Sequence, residues 1–329
     1  MWSEFKKIVD KYQHFVISTH MNPDGDGLGS EVALASLLKW LSKEATIVNT
    51  SETPKNYKFV DPEGEICYYP SQAANEAISR CQVLILLDCG SLNRMGELGG
   101  HFKKSHIYRV CIDHHLTVDD DFDLAIVRQE AAATAMLIFD LIHEMKGGVS
   151  EKEALALYTG IMRETGSFRF ANTDPEVHRV AARLLELDLD PQKIYEEVYE
   201  KSSAARLRLI GHLLTELELA PGGRLAWITA SRGLLDRFQV PEADMDGFID
   251  FPRSLAGAEV VFFFIEQEGR VRVSFRSKGS VDVNKLANSF GGGGHKNAAG
   301  AIVAGGLDEV RERVIEAAKR VLERPAQED

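Results

Sequence analysis

Histidines and aspartates gathered at the ends of apolar segments are the residues of this chain best suited to chemistry. Asp113-His114-His115 follows the apolar run Ile107–Ile112, and His20, Asp24 and Asp26 follow His14–Thr19. Asp88 ends the run Val83–Leu87 directly, and Glu164 closes a helical pattern over Glu151–Arg163. An acid at the end of a buried strand has lost water and needs a cation or amide donors in exchange. Alone, each piece has a plainer meaning: Asp24-Gly25-Asp26 a surface turn, Asp88 a helix cap. Recurrence at successive strand and helix ends favours metal ligation. Four carboxylates and two imidazoles without thiolate suit two divalent cations, Mn²⁺ first, with Mg²⁺, Co²⁺ and Zn²⁺ compatible. Calcium fits poorly, because His20 offers nitrogen and the bidentate Glu of a calcium loop is missing. Paired cations sharing a carboxylate lower the pKa of water toward ~7, which is machinery for phosphoester hydrolysis.

The elements that must hold these residues read as an α/β fold. His14–Thr19, Thr46–Asn49, Val83–Leu87 and Ile107–Ile112 predict strands, and Glu31–Leu41, Ala73–Ile78, Ala131–Met145, Glu151–Arg163 and Pro175–Leu187 predict helices. Alternation of this kind predicts a doubly wound, mostly parallel sheet whose ligands gather at the carboxyl ends of its strands. A polar, helix-rich passage follows. Leu225–Thr229, Glu259–Ile265 and Arg270–Phe275 then predict strands, with a helix over Val283–Phe290, a strand over Ala301–Ala304 and a closing helix over Leu307–Leu322. The expected organisation is a metal-binding catalytic domain over 1–187, a helical linker over 188–220 and a smaller α/β substrate-binding domain over 221–329. Trp40 and Trp227 are expected in the core.

With 38 Lys and Arg against 50 Asp and Glu, the formal charge is −12, which argues against a stable complex with long nucleic acid. A short anionic substrate remains compatible, because bound cations attract phosphate. No stretch reaches membrane-spanning length, and the N-terminus lacks the succession of a secretory signal. Cys67, Cys81, Cys89 and Cys111 show no CxxC spacing and read as reduced core or near-core thiols. These features predict a cytoplasmic protein, and they leave a homodimer open.

Taken in order, His20-Met-Asn-Pro-Asp24-Gly-Asp26, Asp88, Asp113-His114-His115 and Gly291-Gly-Gly-Gly-His295-Lys-Asn-Ala-Ala-Gly300 resemble the DHH/DHHA1 phosphoesterases over nearly the whole chain. Length and the lack of extra domains are most similar to the bifunctional oligoribonucleases and 3′-phosphoadenosine-5′-phosphate (pAp) phosphatases, the nanoRNases. The resemblance implies that His20, Asp24 and Asp88 bind one metal and that Asp26, Asp88 and His114 bind the other, joined by an acid from the 160–170 segment. It implies His115 facing the scissile phosphate and Asp113 orienting the histidines. The family has Thr-Asp-Thr-Gly where this chain has Arg163-Glu164-Thr165-Gly166, so Glu164 would ligate through a side chain one methylene longer.

For the second domain, Gly292, Gly293 and Gly294 are expected to cradle phosphate on backbone amides, with His295 and Arg276 as donors to it. Arg94 is a weaker candidate for phosphate contact, since a surface salt bridge explains it equally well. The expected activity is cleavage of short 5′-phosphorylated RNA or DNA to nucleoside 5′-monophosphates in a cleft between the domains, with pAp as a further substrate. Three alternatives stand beside it: specialisation for linear products such as pApA or pGpG, a RecJ-like single-strand exonuclease, and a catalytically weakened nucleotide-binding regulator.

Overall fold

A computed structural model describes residues 1–245 and 247–323. The chain divides into two compact units, Met1–Lys201 and Ser202–Asp329. The first runs α1 (Ser3–Lys11), β1 (His14–Ser18), α2 (Gly25–Trp40), β2 (Glu44–Asn49), β3 (Ile66–Tyr68), α3 (Gln72–Arg80), β4 (Val83–Leu87), α4 (Glu97–Lys103), β5 (Tyr108–Asp113), β6 (Leu124–Val127), α5 (Thr134–Lys146), α6 (Glu151–Glu164), α7 (Pro175–Leu185) and α8 (Pro191–Tyr199).

Its six strands lie in the order β3-β2-β1-β4-β5-β6, and every pairing is parallel. The central strands β1 and β4 are buried almost throughout, as expected for a sheet covered on both faces. One face packs under α1, α2, α5 and α6, while Leu84 and Leu86 turn to the other, where Ala74, Leu98 and Phe102 of α3 and α4 close the core. Strand order reverses between β1 and β4, so a crevice opens at their carboxyl ends.

Helix α2 starts at Gly25, six residues before the apolar periodicity. Asp24 caps it, its Oδ1 accepting from the amides of Asp26 and Gly27 at 3.0 and 3.4 Å. Three glycines in its first turns read in the sequence as a loop, because glycine is a poor helix former. Close neighbours explain two of them. A Cβ on Gly27 would stand 2.6 Å from Thr19 Oγ1, and one on Gly29 would stand 2.2 Å from the carbonyl oxygen of Ala156 on α6.

The second unit contains α9 (Ala204–Thr215), β7 (Glu218–Leu219), β8 (Leu225–Ala230), α10 (Arg232–Phe238), α11 (Asp250–Arg253), β9 (Val260–Gln267), β10 (Arg270–Ser277), α12 (Val283–Asn288), β11 (Gly293–His295), β12 (Ala298–Ala304) and α13 (Leu307–Glu323). Its sheet runs β11-β12-β10-β9-β8-β7, with β8 and β9 parallel and the other pairs antiparallel. The segment 188–220, expected as a linker, is shared: Ile194 and Val198 of α8 join the first core, and Leu209, Ile210 and Leu213 of α9 join the second.

Trp227 is buried as expected, but Trp40 is 55% exposed at the end of α2, with Lys146 Nζ 5.8 Å from its ring centre. Trp40 is the last residue of α2, beyond Leu37 and Leu38, the last side chains of that helix to be buried. Among the described residues, no helix is long and apolar enough to cross a membrane.

Candidate metal centre

The reversal of strand order brings His20, beyond β1, to Asp88, the residue after β4. His20 Nδ1 lies 2.8 Å from the carbonyl oxygen of Met21, which directs Nε2 at Asp88 Oδ2, 3.6 Å away. Asp24 completes this group: ligand atoms of His20, Asp24 and Asp88 lie within 4.8 Å of one another. On its other side Asp88 meets His114, whose Nε2 is 3.4 Å from Oδ1 and 3.8 Å from Asp26 Oδ2. Asp88, Asp113, His114 and His115 form a second group under the same distance limit. Asp88 therefore belongs to both groups. It is 3% exposed and holds φ at +56°, a left-handed conformation that is uncommon for residues other than glycine.

Asp113 is fully buried and organises the pair that follows it. Its Oδ1 accepts from the amides of His114 and His115 at 2.7 and 3.1 Å and lies 2.7 Å from His115 Nδ1. His114 Nδ1 is 3.1 Å from the carbonyl oxygen of Ala131. Each ring thus has Nδ1 engaged with the protein, an arrangement that fixes ring orientation and tautomer.

The electrostatics are those of an anionic pocket holding protons. Burial works against ionising Asp88, but bonds to His114 and His20 outweigh it and hold the carboxyl well below its usual range. Burial would likewise discharge His114, yet the bond to Asp88 and the charges of Asp88 and Asp26 raise its pKa to about 10. His20 and His115 are raised for the same reason, against burial, by Asp88 with Asp24 and by Asp113 with Asp88 respectively. Burial and the Asp88 charge push Asp26 upward. Its two oxygens nevertheless accept the amides of Thr134 and Ala135, at 2.7 and 2.8 Å, at the N-terminus of α5, where a carboxylate is favoured.

Glu164 ends α6, half-buried. Burial first, then the charges of Asp24 and Asp88, raise its carboxyl, and His114 opposes them. It therefore sits within electrostatic reach of both groups, although neither tight cluster of ligand atoms includes it. Arg163 beside it brings Nε to 3.9 Å from Asp24 Oδ2. Arg94 is exposed, and its charge reaches His20, where it opposes the carboxylates.

In the second unit, Arg276 on β10 is half-buried and its Nη1 donates to the carbonyl oxygen of Phe275 at 3.0 Å. His295 ends β11. The glycine run is partly a packing requirement: a Cβ on Gly292 would stand 2.1 Å from the carbonyl oxygen of Gly300, and one on Gly294 2.5 Å from that of Ala298. Gly293 is exposed, and a Cβ there would meet nothing nearer than Asn288 Oδ1 at 3.5 Å.

Thr134 is the residue that sequence reasoning missed. Besides its amide bond to Asp26, its hydroxyl donates to Asp88 Oδ1 at 3.1 Å, tying α5 to the shared carboxylate. A threonine opening a helix after three alanines was the available signal, and it reads first as a cap.

The profile of the DHH family, N-terminal domain, matches residues 14–161, and that of the DHHA1 domain matches residues 230–324. The bifunctional oligoribonuclease and PAP phosphatase NrnA of Thermus thermophilus is 35% identical over 94% of the chain and 90% of its own length. The protein of the same name from Bacillus subtilis is 26% identical over 92% and 93%. Among solved structures, an exopolyphosphatase-related protein from Bacteroides fragilis superposes with a TM-score of 0.88 at 29% identity, covering 97% of this chain and 94% of that one. RecJ from Thermus thermophilus in complex with Mn²⁺ shares the fold at a TM-score of 0.52 and 17% identity, covering 96% of this chain and 54% of that one.

Proposed function

Because the chain belongs to the DHH/DHHA1 phosphoesterases, we propose that it is a metal-dependent phosphodiesterase that hydrolyses short oligonucleotides to nucleoside 5′-monophosphates and also dephosphorylates pAp. Both activities are in the names of relatives that match it nearly end to end. The observation that carries the reading is Asp88, a buried carboxylate common to two groups of imidazole and carboxylate donors.

The donor set fits two divalent cations of the Mn²⁺ type. His20, Asp24 and Asp88 would hold one, and Asp26, Asp88 and His114 the other, with Glu164 contributing to the shell. Protons now held between these groups would leave as cations enter, because ligating imidazole must be neutral. Bound cations neutralise phosphate charge and make water acidic enough to attack at neutral pH.

The chain's own residues supply the rest. With Nδ1 held by Asp113, His115 would present Nε2 to the scissile phosphate, and the upward shift of its pKa favours a proton on the ring for a phosphoryl or leaving oxygen. Arg94 would contact phosphate near His20. In the second unit, Arg276, His295 and the Gly292–Gly294 backbone would bind the non-scissile part of the substrate, Gly293 having the open face that close approach needs. The four free cysteines suit the reducing cytoplasm.

Product analysis with purified protein and added Mn²⁺ tests the proposal. Di- to pentanucleotides of RNA should yield nucleoside 5′-monophosphates, and pAp should yield AMP and phosphate. No turnover on either class would overturn the reading, and turnover confined to pApA or pGpG would narrow it.

A further inference from the structure

Glu31 is a fully buried carboxyl that the proposed chemistry does not use. It lies on α2 two turns after Asp24, and burial pushes its pKa up to about 8, with the bond from Asn49 opposing. Asn49 Nδ2 donates to Glu31 Oε2 at 2.9 Å, while Oε1 has no hydrogen-bond partner among the described residues. The other end of the Asn49 amide faces β1: its Oδ1 accepts from the Thr19 amide at 3.3 Å and from the Ser18 hydroxyl at 3.4 Å. Thr19 then reaches across the switch point, its hydroxyl donating to the carbonyl oxygen of Leu87 at 2.8 Å.

The residues at the two ends of that last bond are the neighbours of His20 and Asp88. Glu31, Asn49, Thr19 and Ser18 are each at most 2% exposed, so the bonds form out of water, where leaving one unmade is costly. The close approach of Gly27 presses the first turn of α2 onto Thr19. The upward push of burial on Glu31 also works against adding a further negative charge to a pocket already lined by Asp24, Asp26 and Asp88.

We infer that Glu31, Asn49 and Thr19 act as a positioning chain that fixes the carboxyl ends of β1 and β4 against each other, and so sets cation affinity at the His20–Asp24–Asp88 group. The inference rests on the metal reading above and adds residues that touch neither cation nor substrate. Partners of this kind behind metal ligands are worth about 10–100-fold in affinity.

The test is Mn²⁺ titration calorimetry on the full chain, with thermal melts of the metal-free protein alongside. Asn49→Leu and Thr19→Val should each weaken one Mn²⁺ site about tenfold or more while the other keeps its affinity. Thr19→Ser and Glu31→Gln, which keep the bonds, should restore wild-type affinity. Should Asn49→Leu not fold, Thr19→Val carries the test, since it exchanges one buried hydroxyl for a methyl. A folded Thr19→Val protein with a lower melting temperature and wild-type Mn²⁺ affinity would make the network merely structural and overturn the inference. Failure of the wild-type protein to bind Mn²⁺ would overturn the metal reading itself, and the inference with it.

Discussion

One oxygen of Asp113 engages both histidine amides and the His115 ring, so a single side chain sets two imidazoles that face different tasks. The tasks separate by mutation. His114 points at Asp88 and Asp26, and His114→Ala should lower Mn²⁺ stoichiometry from two ions to one in calorimetry and abolish turnover. His115 Nδ1 is bonded to Asp113 at 2.7 Å and stands 3.7 Å from Asp88 Oδ1; with that nitrogen taken by Asp113, His115→Ala should keep both ions and lower kcat by about 10²–10⁴-fold, the range of a lost general acid. Loss of an ion in His115→Ala would make that ring a ligand. The place of the triplet at a strand end was legible in the sequence because it follows an apolar run, whereas the division of tasks among its members is what the family resemblance implies. The bond that Asp88 accepts from Thr134 was hidden because its partner lies forty-six positions away.

At the scale of elements, α2 and α6 cross where Gly29 meets Ala156, and Gly160 on α6 faces Asp26 Oδ1, 3.1 Å from where a Cβ would be. This close crossing sets Glu164, the last residue of α6, against the start of α2. Gly29→Ala should push the helices apart, cost about 1–3 kcal/mol and weaken Mn²⁺ binding; melting temperature and calorimetry read the two effects. Unchanged cation affinity in the folded variant would mean that α6 does not position a ligand. The central strands and long helices were legible because their apolar runs are long and regular. The start of α2 was not, because its glycines answer to Thr19 and Ala156, contacts that local propensity does not contain. Short β3 and β6 likewise owe their strand character to parallel pairing with neighbours rather than to their own pattern.

For the whole molecule, a charge of −12 leaves cations and a few side chains as the attraction for phosphate. Affinity should therefore saturate at a few nucleotides. Extending a substrate to about 20 nucleotides should gain less than about tenfold at 50 mM salt, and the salt slope should correspond to only one or two phosphate contacts. A gain of several orders of magnitude, measured by fluorescence anisotropy with an inactive variant, would instead indicate a track for long strands.

The strand order of the first unit also fixes when the centre comes into being. Its donors are scattered from His20 to Glu164, and the two strands that meet at its middle, β1 and β4, are separated by two others in the sequence. During synthesis, His20, Asp24 and Asp26 leave the ribosome well before Asp88 gives them a shared partner, and α6 delivers Glu164 later still. A nascent chain therefore carries an incomplete set of the proposed donors until about half of its 329 residues are made, and on this reading it gains activity toward short nucleic acids only once its first unit is essentially complete.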